Sequence, residues 1–80
     1  MKVSEIKRLA QNNSIEELRK AEEAIINEES PEIEVNGSDE GDKLTNLSGA
    51  IWVLEKVELN GTEIKEEVRN FTNRVRESIN

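Results

Sequence analysis

Seven carboxylates crowd the fifteen residues from Glu28 to Asp42, EESPEIEVNGSDEGD, and no Lys or Arg lies among them. Before this stretch five acids balance five bases, and after it six balance six, so the net charge of −7 belongs to this segment alone. Like charges held close repel one another until a counter-charge meets them. The chemistry open to such a segment is therefore binding of a divalent cation or of a basic ligand. Glu32, Glu34, Asp39, Glu40 and Asp42 make up its candidate acidic surface. Laid on an EF-hand loop, Asn36, Ser38 and Glu40 take the first three ligand positions, Gly41 the invariant glycine and Asp42 the next. The twelfth position, which must supply a bidentate Glu, is Leu47, and the normally apolar eighth is Lys43. A loop without its strongest ligand holds calcium weakly, so no metal site is assigned. The plainer use of these acids is to solvate a loop and to open a helix.

Other chemistry is sparsely provided for. The chain has no Cys and no His, which removes disulfides, thiolate zinc sites, thiol redox chemistry and the usual general base. Paired carboxylates elsewhere fall on solvated helix faces, where nothing shifts their pKa. Ser and Thr have no base to activate them, and no Gly-rich phosphate loop occurs. No catalytic residue, cofactor or enzymatic activity is expected. The N-terminal pair of helical segments superficially suggests a helix-turn-helix. Its second helix, however, carries Glu16, Glu17, Glu22 and Glu23 against Arg19 and Lys20, in a chain of pI about 4.6. Phosphate contacts would be repelled, and nucleic acid is not an expected partner. Lys65, Arg69, Arg74 and Arg76 form the one local basic cluster, expected to pair with Glu66, Glu67 and Glu77 or with the acidic loop.

The elements that must position these groups are helical. Val3, Ile6, Leu9 and Ala10 recur at helical spacing over Ser4 to Asn12, and Asn12-Asn13 breaks the run. Ser14 and Glu17 have the spacing of a capping box for a second helix, with Ile15, Leu18, Ala21, Ala24 and Ile25 on its buried stripe. Ser30-Pro31 stops it. Glu32-Ile33-Glu34-Val35 alternates like a short extended piece before the Asn36-Gly37 turn. No other segment could pair with it, so an ordered loop, or a strand formed only across a dimer, is expected. The third helix begins near Ser38–Asp42, where acids suit the positive end of the helix dipole, and ends at Asn60-Gly61. Its main stripe is Leu44, Leu47, Ala50, Ile51, Leu54 and Val57, while Trp52 and Leu59 lie on another side. A helix apolar on two sides is central in a bundle or shared with a second subunit. Thr62 is placed to cap the fourth helix, with Ile64, Val68, Phe71, Val75 and Ile79 along its stripe.

Size and composition limit the core. Eighty residues at 34% hydrophobic content, with Trp52 and Phe71 the sole aromatics, give a thin aliphatic interior that oligomerisation would supplement. A homodimer through the third and fourth helices is expected, with Trp52, Leu59, Val53 and Phe71 as its candidate interface. The longest apolar run, Ala50–Leu54, is far short of a membrane span. The N-terminus has neither an apolar signal core nor a cleavage site, so a cytoplasmic protein without membrane contact is expected.

Ser14-Ile15-Glu16 with Ala21-Glu22-Glu23-Ala24, Ile33-Glu34-Val35, Asp39-Glu40-Gly41, Ala50-Ile51-Trp52 with Leu54-Glu55-Lys56, and Phe71-Thr72 with Arg74-Val75-Arg76 are spread over nearly the whole chain. In these the sequence resembles a family of short, acidic, uncharacterised bacterial proteins with no assigned activity. The resemblance implies an accessory role near peroxiredoxin-like or thioredoxin-like proteins, which a chain without cysteine could fill only as a binding partner or regulator. The sequence thus predicts one all-α domain over residues 1–80: a small bundle of four helices, the first short, with a long acidic connection over 28–42. The function expected is that of a small non-catalytic interaction protein.

Overall fold

The computed structural model describes residues 1–79, with side-chain surroundings through residue 77, so the expected place of Ile79 in the last stripe lies outside the described side chains. Four helices follow in order: α1 Val3–Asn12, α2 Ile15–Ile26, α3 Glu40–Asn60 and α4 Ile64–Ile79. Among the described residues there is no strand. None of the helices is long and apolar enough to cross a membrane.

Local chemistry sets the boundaries. The Ser14 hydroxyl accepts from the Glu17 amide at 3.1 Å, and the Glu17 carboxylate accepts from the Ser14 amide at 3.0 Å, which completes the expected capping box. Asp39 caps α3, its carboxylate accepting from the Asp42 amide at 2.7 Å. Gly61 ends α3 in the left-handed region at φ 65°, donating to the Val57 carbonyl. The start of α4 differs from expectation. Its first turn hangs from the Glu63 carbonyl, which accepts from Glu66 and Glu67, so the helix opens one residue later than a Thr62 cap would place it. The Thr62 hydroxyl is used elsewhere, donating to the Glu67 carboxylate.

The bundle is organised around α3, which packs against α1, α2 and α4, while α1 also meets α4. Ile6, Leu9, Leu18, Leu47, Ala50 and Val53 are fully buried. Burial on three sides explains why a single stripe underdescribes α3. Leu44, Leu54 and Val57 of that stripe are half-buried, whereas Asn46, Gly49 and Val53, outside it, are buried. At Gly49 a Cβ would stand 2.8 Å from Ile6 Cδ1 and 3.1 Å from the Phe71 ring, so the missing side chain lets α1 and α4 close on α3. Val3, expected on the inner stripe of α1, is exposed instead.

The exit from α2 carries strain. Glu28 donates to Ile25 and Glu29 to Ala24, a Schellman closure that places Glu28 in the left-handed region at φ 60°. A side chain there costs about 1–2 kcal/mol that glycine avoids, less what glycine loses in the unfolded chain. Glu28→Gly is therefore expected to stabilise the fold by roughly 0.5–1 kcal/mol. Thermal unfolding followed by circular dichroism should show a Tm a few degrees higher; a lower Tm would mean that Glu28 contributes more than this strain.

Candidate functional site

The acidic connection is held by a buried carboxylate outside it. Glu5 on α1 is only 5% exposed, and its two oxygens take four donors. Arg8 donates from Nε at 2.8 Å and Nη2 at 2.7 Å; Asn36 donates from its amide at 2.7 Å and from Nδ2 at 3.3 Å. Arg8 Nη2 also reaches the Glu34 carbonyl at 2.9 Å. Asn46 on α3 has no exposed surface and completes the clamp, accepting from the Lys2 amide at 2.9 Å and donating to the Asn36 carbonyl at 3.0 Å. Together these groups satisfy the loop backbone at Glu34 and Asn36 without a partner strand. Ile33 and Val35 press half-buried against the core, so residues 32–35 form an anchored loop.

Most of the loop's carboxylates remain in water. Asp42 is tied, accepting from the N-terminal ammonium at 2.7 Å and from the Ser38 amide at 3.0 Å. Those two contacts hold it below the ordinary aspartate range. Glu32, Glu34, Asp39 and Glu40 are exposed, and none makes a salt bridge among the described residues. They do not converge either. Asn36 is turned to Glu5, Ser38 bonds Asp42, and Asp39 caps α3, so the EF-hand alignment has no counterpart in space. Among the described residues no three acidic side chains form a group able to hold a metal ion.

The aromatic pair marks a second site. Trp52 and Phe71 lie with ring centroids 5.5 Å apart, tilted by 54°, at the bottom of an open cleft of about 540 Å³ between α2 and α4. Across α3, Ile26 and Glu22 form the α2 wall of this cleft. Ile26 is 67% exposed, a large apolar side chain that the fold leaves uncovered. Lys56 Nζ and the Arg74 guanidinium sit over the Trp52 ring at 5.5 and 5.9 Å, within cation–π range. Burial pushes the Glu22 carboxyl above its usual range, with Arg19 acting against that shift. Of the expected interface residues, Trp52 and Phe71 come together here, while Leu59 stands apart near the end of α3, 75% exposed. Val53 is a correction: it is fully buried in the core, because α3 is covered on three sides, and no partner can reach it. Ile26 and Glu22 complete the cleft. Only the adjacency of Ile25 and Ile26 at the end of α2 hinted that one isoleucine must face outward.

The basic cluster of α4 also differs from expectation. Glu67 turns inward, 2% exposed, and accepts from the Thr62 hydroxyl, from Asn70 Nδ2 at 3.2 Å and from Asn60 Nδ2 at 3.5 Å. The Thr62 and Asn70 bonds keep its carboxyl below the usual glutamate range, against a burial effect that raises it. Lys65, Arg69 and Arg76 make no salt bridge with Glu66, Glu67 or Glu77.

The chain belongs to a family of unknown function, DUF6952, whose pattern it matches over residues 1–80. No curated protein and no solved structure matches it.

The clamp makes stability depend on pH. The Arg8 hydrogen bonds lower the Glu5 pKa most, burial opposes them, and the Asn36 bonds add to the lowering. A carboxyl with a depressed folded pKa contributes stability above its unfolded pKa, about 4.3 for Glu, and loses it as pH falls through the folded value. Unfolding free energy should thus decline below about pH 4.3 and do so less steeply in Glu5→Gln. Glu5→Ala should cost about 3 kcal/mol at neutral pH, since it strands Arg8 and the Asn36 amide. Urea unfolding across the acid range measures both, and an unchanged pH slope in Glu5→Gln would remove Glu5 from the account.

Proposed function

We propose that this protein is a small, non-catalytic interaction protein that self-associates through the cleft of Trp52 and Phe71. The observation that carries the reading is the open aromatic floor beside an uncovered Ile26, in a domain whose core is small. Aromatic anchors in a partly desolvated recess are the usual centre of binding energy at protein interfaces.

Charge favours a second copy as the occupant. The α2 wall carries Glu22, and Lys56 stands over the Trp52 ring beside the cleft. A two-fold axis through the cleft would set each Glu22 against the other copy's Lys56, and each Ile26 against the other copy's aromatic floor. An isologous contact requires that self-complementarity. Without Cys or His, the chain would contribute to any redox-associated partnership by binding alone.

Sedimentation velocity at high micromolar concentration should show a dimer. Ile26→Ser, at a side chain that makes little of the core, should weaken association about tenfold, and Trp52→Ala should weaken it further, as befits a central anchor. Leu59→Ala, away from the cleft, should leave it unchanged. A 9.1 kDa monomer throughout the concentration series would overturn the proposal.

A further inference from the structure

On the flank of α4 away from the aromatic cleft, α1 and α4 border an open trough of about 380 Å³. Its walls carry Lys7 from α1 and Lys65, Arg69 and Arg76 from α4. Val3 and Val68 give it an apolar floor, and no carboxylate lines it. None of the four cations makes a salt bridge or a hydrogen bond among the described residues, although the chain has seven more acids than bases. Glu67, two residues from both Lys65 and Arg69 and so on another face of α4, is turned inward to Thr62 and Asn70, and Glu66, three residues before Arg69, makes no salt bridge with that arginine. Lys65, Arg69 and Arg76 are spaced by four and seven residues, so they share one face and span about 16 Å of helix.

We infer that this trough is a docking surface for a carboxylate-rich segment of a partner protein, one that carries apolar side chains between its acids. Charge complementarity carries the inference: three cations along one face of α4, with Lys7 on the α1 wall, repel each other until an anion of matching length neutralises them. The apolar floor favours a peptide over a small anion. A lone phosphate or carboxylate is held by converging donors, whereas these cations are strung along an open trough. The Thr72 hydroxyl, which lines it, already donates to the Val68 carbonyl at 2.9 Å. A nucleic acid would want aromatic faces for its bases beside the cations. Trp52 and Phe71 instead face the cleft on the other flank, and the trough has no ring. The surface is separate from the self-association cleft, so either can fail without the other.

The test uses the full chain and two fluorescein-labelled twelve-residue peptides, one alternating Glu with Leu and one alternating Glu with Ser. At low salt the Glu/Leu peptide should give a saturable rise in anisotropy that weakens as salt is added. Arg69→Glu/Arg76→Glu, two exposed positions, should weaken it about tenfold or more, since each reversal replaces an attraction by a repulsion. Lys20→Glu, one reversal of the same kind but on α2, should leave binding within about twofold of wild type. The Glu/Ser peptide should bind several-fold more weakly if the floor contributes, and equal binding would reduce the trough to a non-specific charge. Circular dichroism confirms that each variant folds. No saturation at millimolar peptide, or equal loss in Lys20→Glu, would overturn the inference. Tighter binding of a single-stranded oligonucleotide than of either peptide would overturn the choice of a protein partner. Loss of wild-type self-association in the double variant would assign the trough to a second copy instead.

Discussion

Burying the Glu5 carboxylate beneath α1 obliges the chain to bring donors to it, and two of them come from the far side of a long connection. Arg8 alone could satisfy part of the charge. The Asn36 amide supplies the rest, and once Asn36 is fixed its carbonyl needs a donor, which Asn46 provides from inside α3. Asn46 in turn accepts from Lys2, so one network joins the start of α1, the connection and the middle of the bundle. Connections of this length without regular structure are uncommon in compact domains unless something holds them. Here polar groups aligned on two helices perform the task that a neighbouring strand performs in a sheet.

That fixed connection also determines how the charge is displayed. With Ile33 and Val35 pressed inward, the alternating Glu32 and Glu34 are left exposed to water. Asp39 and Asp42 are used to open α3, a helix N-terminus being the place where negative charge is favoured. The acidic stretch is therefore mainly a product of packing, and its charge density needs no ligand to explain it. Two open recesses lie away from it, on the two flanks of α4. One flank faces α2 across α3, where the aromatic cleft lies; the other meets α1 and carries the cationic trough.

Four helices, their order and most of their ends could be read from the residues, because apolar periodicity, the Ser14–Glu17 box, the acids near Ser38–Asp42 and Gly61 are local signals. What escaped was set by tertiary partners. Glu5 and Asn46 look like ordinary surface polar residues on amphipathic helices, and only the fold shows that each is buried and hydrogen-bonded. Val53 was expected at the interface with a second copy as the partner. That partner proved to be the remainder of the same bundle. Thr62 read as a cap because its type and position suit one, yet a buried Glu67 nearby competes for the hydroxyl. Among the candidate-site residues, the nearness of Trp52 and Phe71 was visible only as two aromatics on adjacent helices, and the contribution of α2 not at all.

Net charge misleads in the same way that a single stripe does. A pI of about 4.6 argues against nucleic acid as a partner of the whole molecule, because long-range steering follows the summed field. It says little about a trough some 16 Å long, since at physiological ionic strength charges separated by more than about 8 Å are largely screened. Within that distance the trough presents Lys7, Lys65, Arg69 and Arg76 and is lined by no carboxylate, while the 28–42 connection is anchored through Arg8. What separates the local field from the global one is where the acids stand: none lines the trough, while seven of the eighteen lie in the 28–42 connection. Glu67 adds no negative charge to that face, since it stands two residues from Lys65 and from Arg69 and is turned inward to Thr62 and Asn70 at the α3–α4 turn.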